Sequence, residues 1–166
     1  MELLLTIATK ALPSSFTRNS WLLGGVLVLR SMEDNSSKGR RLRGFQMEMH
    51  VQQELQKRGY KVEKMKSTHS FDLLVENRYK VEVKSCLFRG TRRWYFSNIN
   101  RTDFADIFAL VFIWPDRKEI KYMDSNTAIN ICNKSRALLN VAIHVWEDDP
   151  PLMYDEISDV INAVDK

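Results

Sequence analysis

Two short apolar runs that predict neighbouring strands carry residues that could do chemistry. In SFDLLVENRYKVEVKSC, residues 70–86, Asp72 lies near the start of the first run, and Glu82 and Lys84 lie inside the second. Successive side chains of a strand point to opposite faces of a sheet, so Glu82 and Lys84 share one face, about 7 Å apart. A tight turn between the runs lets Asp72 reach that face. The pattern predicts two carboxylates and one ammonium group at one place.

This combination suits metal-assisted hydrolysis of a phosphodiester bond. Carboxylate oxygens suit Mg²⁺ or Mn²⁺, and Mg²⁺ keeps several of its waters. Asp72 and Glu82 are the predicted metal ligands, and the backbone carbonyl of Val83 could add another hard oxygen. The metal would lower the pKa of a bound water. Lys84 would orient that water or stabilise the charge that develops on phosphorus.

A second interpretation of the same residues requires no chemistry. Alternating lysine and glutamate side chains are common on a strand with one wet face, where opposite charges on neighbouring strands stabilise the sheet modestly. The spacing alone does not choose between a metal site and a solvated sheet face.

The first elements that would position these residues are a helix and a set of strands. Residues 44–58 predict a helix, because Met47, Val51 and Leu55 recur every four residues and Gly59 follows. The run IFALVFIW, residues 107–114, predicts a central strand covered on both faces. Alternating or apolar runs predict further strands at residues 60–66, 71–76, 79–88, 94–99 and 119–123.

The carboxyl-terminal third predicts more helix. Ser125 is a good N-cap for a helix over residues 125–134, and residues 158–166 predict a short terminal helix. Residues 141–146 fit either a last strand or an apolar helix. The predicted fold class is therefore α/β, with a mixed central sheet flanked by helices.

Charge is unevenly distributed along the 166 residues. Residues 147–166 hold seven acids and one lysine, whereas residues 1–146 carry 24 bases and 14 acids. The excess of bases in residues 1–146 is consistent with a polyanionic partner, although basic surfaces also increase solubility. We expect an appended or poorly structured segment at residues 1–37, a domain at residues 38–146, and an acidic segment with a short helix at residues 147–166.

Two further features of the sequence concern the cellular compartment of the chain. The two cysteines, Cys86 and Cys132, are far apart and lack metal-ligand spacing, which indicates buried thiols in a reducing, cytoplasmic compartment. The apolar run WLLGGVLVL is much shorter than the ~20 residues that cross a bilayer, so no membrane partner is predicted.

Two basic clusters flank the candidate site. One precedes the first helix and the other follows Lys84, where Trp94, Tyr95 and Phe96 lie among the arginines. Such a mixture suits contacts with phosphates and stacked bases, whereas the alternatives are a solvated leader and an exposed loop with anchored aromatics. The candidate DNA-binding residues are Lys38, Arg40, Arg41, Arg43, Arg89, Arg92, Arg93 and Arg101.

The stretch FDLLVENRYKVEVKS resembles the core of the PD-(D/E)XK nuclease superfamily, with Asp72, Glu82 and Lys84 in the three motif positions. The proline of the motif is replaced by Phe71, a common substitution in that superfamily. The resemblance implies a restriction-endonuclease-like core and a divalent-metal-dependent DNA endonuclease that uses Mg²⁺ or Mn²⁺.

The segment upstream is similar to the amino-terminal part of archaeal Holliday-junction resolvases. It has a basic KGR start at residues 38–40, a helix with Glu48, and Gly59 and Tyr60 opening the first strand. By this resemblance, which covers about residues 38–86, Glu48 would be an auxiliary acid that contacts the metal through water. Cleavage of both DNA strands would suit a homodimer with two sites.

The segment after Lys84 does not resemble the resolvases. RRWYFSNINRTDFADIFALVFIW is more similar to small restriction-type, phage or homing-type nucleases of the superfamily, where a polar strand precedes an Asp and a buried strand. Structure-selective cleavage and restriction-type or homing-type cleavage therefore both remain open. The alternative function is a non-catalytic module on the same fold that binds nucleic acid or a partner protein through the same face.

Overall fold

The computed structural model describes residues 36–99, 105–133 and 141–165, apart from the side chains of residues 133 and 141. The predicted segment at residues 1–37 therefore lies almost wholly outside the described residues, as does Arg101. Within the described ranges, no helix combines the length and apolar character needed to cross a bilayer.

The first helix, α1, spans Ser37–Lys57 and is longer than the sequence predicts. Its start is fixed by Ser36, whose hydroxyl accepts a 3.0 Å hydrogen bond from the Gly39 N–H. The basic cluster that was expected in a leader therefore lies on the first two turns of α1. Met47, Val51 and Leu55 form the buried side of α1, as predicted.

The end of α1 is a Schellman motif. The Gly59 N–H donates to the Gln56 carbonyl at 3.0 Å, and the Tyr60 N–H donates to the Leu55 carbonyl at 3.1 Å. Gly59 has a φ of 91°, a conformation that costs glycine little. This turn sends the chain from α1 directly into the first strand.

The remaining elements confirm an α/β fold with seven described strands and two further helices. The strands are β1 (Val62–Lys64), β2 (Leu73–Val75), β3 (Tyr79–Leu87), β4 (Arg93–Ile99), β5 (Ile107–Ile113), β6 (Lys118–Asp124) and β7 (Val141–Trp146). The helices are α2 (Ser125–Asn133) and α3 (Ile157–Val164). Residues 141–146 thus form a strand.

The cap of α2 differs from the prediction. The Asp124 carboxylate accepts a 2.9 Å hydrogen bond from the Thr127 N–H, so the capping side chain belongs to Asp124 and Ser125 is the first helical residue. Both residues are good caps, and the end of β6 determines which of them is positioned to act.

The main sheet has five strands in the order β1-β2-β3-β5-β6. β3 and β5 are parallel and the other neighbours are antiparallel, so the sheet is mixed, as predicted. The chain crosses from β3 to β5 by way of β4, which pairs with β7 in a separate two-stranded sheet. Asp106 links the starts of the two parallel strands, because its carboxylate accepts a 2.8 Å hydrogen bond from the Lys80 N–H.

Two apolar cores lie on opposite faces of the main sheet. The first contains Val81 and Val83 of β3 together with buried residues of α1 and α3. The second contains Phe108 and Leu110 of β5 together with β4, β7 and α2. β5 is therefore buried along its whole length, which agrees with its continuous apolar run. The predicted short terminal helix, α3, buries Ile157 and Val160 in the first core.

Candidate active site and adjoining groove

β2 and β3 meet at a tight turn that brings the predicted site residues together. Glu76 and Asn77 both have positive φ, 52° and 53°, and the Arg78 N–H donates to the Val75 carbonyl at 3.0 Å. Leu73 pairs with Val81 in the antiparallel register. Asp72, just before β2, therefore lies beside the part of β3 that carries Glu82.

The Asp72 carboxylate is fixed against β3. Its Oδ2 atom accepts a 2.8 Å hydrogen bond from the main-chain N–H of Val83. Glu82 and Lys84 flank Val83 and share the opposite face of β3 from its side chain. The predicted convergence of Asp72, Glu82 and Lys84 thus has a direct anchor in the backbone.

Glu82 is the most unusual residue of this group. Only 8% of it is exposed, and it is the sole buried charged or polar residue identified in the described ranges. In the parallel register it lies opposite Phe108, and Lys84 lies opposite Leu110. The Lys84 Nζ is 2.5 Å from the Glu82 Oε1, so the buried carboxylate is neutralised by its neighbour on the same strand.

Ionisation of the Asp72 carboxyl is less favourable in the folded chain than in water. Burial raises its pKa above the usual value, and the hydrogen bond from the Val83 N–H lowers it in part. The Glu48 carboxylate raises the pKa further, whereas Lys84 and Lys64 lower it. A carboxylate that is partly desolvated and near a second carboxylate is a favourable place for a cation.

Glu48 reaches this region from α1. Its carboxylate forms an ion pair with Lys64 of β1, and both side chains are mostly buried. The Glu48 carboxylate also raises the pKa of Asp72, one of the two predicted carboxylate ligands. Lys64 was not singled out from the sequence, since one lysine in a short strand with alternating charges gives no signal of its own.

No group of three or more His, Cys, Asp or Glu side chains is arranged to hold a metal within residues 36–99, 105–133 and 141–165. The donor set around Asp72 and Glu82 nevertheless fits a hard cation, because Mg²⁺ is commonly held by one or two carboxylates with water and phosphate oxygens completing its shell. The Val83 N–H faces Asp72, and in an extended strand the N–H and the carbonyl of one residue point to the same edge. That geometry leaves the Val83 carbonyl on the Asp72 side.

A basic groove begins where the candidate site ends. It has a volume of about 580 Å³, and Ser85, which directly follows Lys84, lies in its wall. Four of the eight predicted DNA-binding residues line it, namely Arg40, Arg43, Arg89 and Arg93. We call this feature the arginine groove.

The other predicted DNA-binding residues are placed differently. Lys38 and Arg41 are exposed on α1 but do not line the arginine groove. Arg92 forms an exposed ion pair of 3.2 Å with Asp148, in the acidic carboxyl-terminal segment. Arg101 lies outside the described residues. Half of the predicted set is therefore brought together at one groove.

The cysteines and aromatics also differ in part from expectation. Cys132 is buried, as predicted, but Cys86 is half-buried and lines the arginine groove. Burial raises the pKa of the Cys86 thiol, so it is poorly ionised. Trp94 and Phe96 are buried in the second core, and of the three aromatics on β4 only Tyr95 is exposed. Strand alternation, which the sequence shows, would have separated them.

Neither a protein-family model nor a curated protein sequence matches the chain.

Proposed function

We propose that the chain is a divalent-metal-dependent endonuclease that hydrolyses phosphodiester bonds in DNA, with a restriction-endonuclease-like core of the PD-(D/E)XK type. The observation that carries this proposal is the buried carboxylate of Glu82, 2.5 Å from Lys84 Nζ and next to the residue that anchors Asp72. Burial of a charge is costly, and groups of this kind are concentrated at functional sites.

Glu82 lies beside apolar residues on its face of the main sheet. Phe108, Leu110 and the buried residues of β4 and β7 form an apolar core on the same side of the main sheet. An apolar side chain at position 82 would pack against them with no need of Lys84 as a partner. A charged pair placed beside such an apolar core is accounted for if the pair acts on a ligand.

Three residues would hold the metal in this proposal. Asp72 and Glu82 provide carboxylate oxygens, and the Val83 carbonyl faces the same side as Asp72. A bound Mg²⁺ or Mn²⁺ would lower the pKa of a water and offset negative charge on the scissile phosphate. Glu48, held by Lys64, would accept a hydrogen bond from a water of the metal shell and so fix its position.

Lys84 has a separate role. Its ammonium group is 2.5 Å from the Glu82 carboxylate, and Lys84 is followed on β3 by Ser85 and Cys86, which line the arginine groove. From there it would orient the attacking water by hydrogen bonding or stabilise the additional negative charge on the phosphate oxygens. Arg40, Arg43, Arg89 and Arg93 would hold the flanking phosphates.

The test is a cleavage panel with Mg²⁺ and Mn²⁺ on linear, nicked, flapped, forked and four-way DNA. We expect metal-dependent cleavage that is abolished in Glu82→Gln, a variant that retains side-chain size and removes the charge. Preference for four-way DNA would support a resolvase-like role, and preference for a sequence in linear duplex would support a restriction-type or homing-type role. Equal cleavage by Glu82→Gln and the parent protein, purified in parallel, would exclude this active site.

One observation favours the alternative of a non-catalytic nucleic-acid-binding module on the same fold. Within the described residues, both Glu82 and Glu48 are engaged by lysines, and no three-ligand metal group is formed. This alternative gives DNA binding that is unaffected by Mg²⁺ and no cleavage of any member of the panel.

A further inference from the structure

The outward face of the β4–β7 sheet carries aromatic and basic side chains in matched pairs. Arg93 is opposite Trp146 in the antiparallel register, and Tyr95 is opposite His144. The Arg93 guanidinium lies over the Trp146 ring, 5.2 Å from its centre, and the Tyr95 and His144 rings meet edge to face at 4.9 Å. We call these four residues the aromatic platform.

The platform is exposed, whereas the opposite face of the same two strands is core. Tyr95 is 51% exposed and Trp146 is 49% exposed, but their neighbours Trp94 and Val145 are buried. Large exposed aromatics that are rigidly placed on a sheet are typical of recognition surfaces. Because the cross-strand contacts hold both rings, little side-chain entropy remains to be lost when a flat partner binds.

The aromatic platform is continuous with the arginine groove. Arg93 and Tyr95 belong to both, and the Tyr95 N–H donates a 3.4 Å hydrogen bond to the Cys86 sulfur. Cys86 lies two residues beyond Lys84 on β3, a rise of roughly 7 Å. A polyanion held in the groove would therefore pass from the candidate active site directly onto the platform.

We infer that the aromatic platform binds unpaired nucleotides of a DNA strand that leaves the candidate active site. This inference rests on the proposed function and adds its substrate class: DNA with a single-stranded segment beside the cleaved bond. Successive unpaired bases stack on Tyr95 and Trp146, and their phosphates lie against Arg93 and the arginine groove.

The chemistry of the surface favours an unpaired strand over duplex. In duplex DNA the faces of the bases are covered by their neighbours, so exposed aromatic rings have nothing on which to stack. Arginines without neighbouring aromatic rings would bind the phosphates of a duplex as well as this surface does. Phosphate binding by the four arginines does not need aromatic rings. Stacking on unpaired bases gives the exposed rings a role.

Binding in EDTA, where cleavage is prevented, tests the inference by itself. The probes are a blunt duplex, the same duplex with a 12-nucleotide oligothymidine tail, and the 12-nucleotide tail alone, each followed by fluorescence anisotropy. We expect the parent protein to bind the tailed duplex more tightly than the blunt one. Tyr95→Ala and Trp146→Ala should each weaken binding to the tailed duplex by about fivefold or more, and should weaken binding to the blunt duplex by a smaller factor.

Matched variants separate stacking from other effects. Tyr95→Phe and Trp146→Phe keep an aromatic face and should retain binding to the tail. Leu152→Ala alters a residue that is 60% exposed but is outside the platform, and it should bind all probes as the parent does. The 2-aminopurine fluorescence of a labelled tail should be quenched on binding to the parent and not to the alanine variants.

The outcomes distinguish this inference from the proposed function. Equal affinity of the parent for tailed and blunt duplex, or tail binding by both alanine variants at parental strength, would overturn the platform even if DNA is cleaved. Loss of tail binding in those variants, with no cleavage of any DNA, would support the platform and reject the endonuclease. Tighter binding of an oligouridine RNA than of the oligothymidine would overturn the assignment to DNA.

Discussion

The Asp72 carboxylate accepts a 2.8 Å hydrogen bond from the main-chain N–H of Val83, the residue between Glu82 and Lys84. This bond holds one carboxylate beside the strand that carries the other. Burial nevertheless raises the pKa of Asp72, because the hydrogen bond and nearby lysines offset only part of the loss of solvation. Asp72 is therefore held in place at a cost to stability when no cation is present.

The first prediction concerns Asp72→Asn. The Asn side-chain oxygen can still accept from the Val83 N–H, while the desolvated charge and its repulsion with Glu48 are removed. We expect a higher melting temperature than that of the parent in EDTA at neutral pH, together with loss of DNA cleavage. Thermal denaturation followed by circular dichroism measures the first effect, and the cleavage panel measures the second.

A lower melting temperature in Asp72→Asn would show that the carboxylate stabilises the fold, contrary to the direction of its pKa shift. Asp116→Asn provides the control, because Asp116 is an exposed acid whose ion-pair partner is its neighbour Arg117. It should melt within the error of the parent.

The second prediction is a stabilisation by metal. A cation that binds the folded chain and not the unfolded chain raises the melting temperature as its concentration rises above Kd. We expect Mn²⁺ to raise the melting temperature of the parent, and we expect no rise in the Asp72→Asn, Glu82→Gln double variant. The same rise in both proteins would place the metal elsewhere. This measurement requires no DNA and no turnover.

The sequence predicted the main features that depend on local pattern. Met47, Val51 and Leu55 gave the buried side of α1, and the apolar run of residues 107–114 gave the central strand. The alternation around Glu82 and Lys84 placed them on one face. These features follow from the 3.6-residue and two-residue periods of the backbone, so they can be derived from one sequence.

Other features depend on tertiary contacts that periodicity does not contain. Pairing of β4 with β7 brings Trp146 next to Arg93 across 53 positions of sequence, and no local signal near either residue indicates it. The contact of Glu48 with Lys64 likewise depends on how α1 crosses β1. The longer start of α1 has a local cause, the cap by Ser36, but the charged residues that follow Ser36 give no apolar period that would indicate a helix there.

The third prediction concerns Glu48. Glu48→Gln removes the charge that is proposed to position a metal-bound water, so we expect cleavage slower by about one to three orders of magnitude. Lys64→Met, which leaves Glu48 without its ion-pair partner, should slow cleavage in the same direction. Initial rates at saturating Mg²⁺ provide the measurement.

Glu54→Gln is the matched control for Glu48→Gln. Glu54 also lies on α1, but it pairs with Lys57 at 2.7 Å on the exposed side. It should cleave at the parental rate. If the two glutamine variants cleave alike, Glu48 has no part in the site, and the similarity of α1 to the resolvase helix carries no functional meaning.

The fourth prediction concerns the arginine groove. Arg89→Ala should weaken binding of DNA of every sequence and reduce the slope of log K against log salt by about one unit, because one phosphate contact is lost. Arg117→Ala is the control, since Arg117 is also exposed and lies over an aromatic ring, that of Trp114, but does not line the groove. A changed sequence preference with an unchanged salt slope would mean that Arg89 contacts bases.

The fifth prediction concerns Tyr122 in β6. The residue is 1% exposed, and its hydroxyl has no hydrogen-bond partner within the described residues. Burial raises the pKa of Tyr122 to about 12, so the unfolded chain ionises this group at lower pH than the folded chain does. Stability from this difference is fully present below pH ~10 and is lost as the pH rises toward ~12.

Tyr122→Phe should remove that part of the alkaline loss of stability. At pH 7 the variant should be as stable as the parent or more stable by about 1 kcal/mol, because a buried hydroxyl without a partner is eliminated and the ring is kept. Between pH 9 and pH 11 the free energy of unfolding of the parent should fall more steeply than that of the variant, since only the parent can ionise at this position. Urea denaturation across that range measures both values. A clear loss of stability in Tyr122→Phe at pH 7 would show that the hydroxyl is satisfied in the folded protein, and parallel pH curves for the two proteins would show that its ionisation is not linked to unfolding.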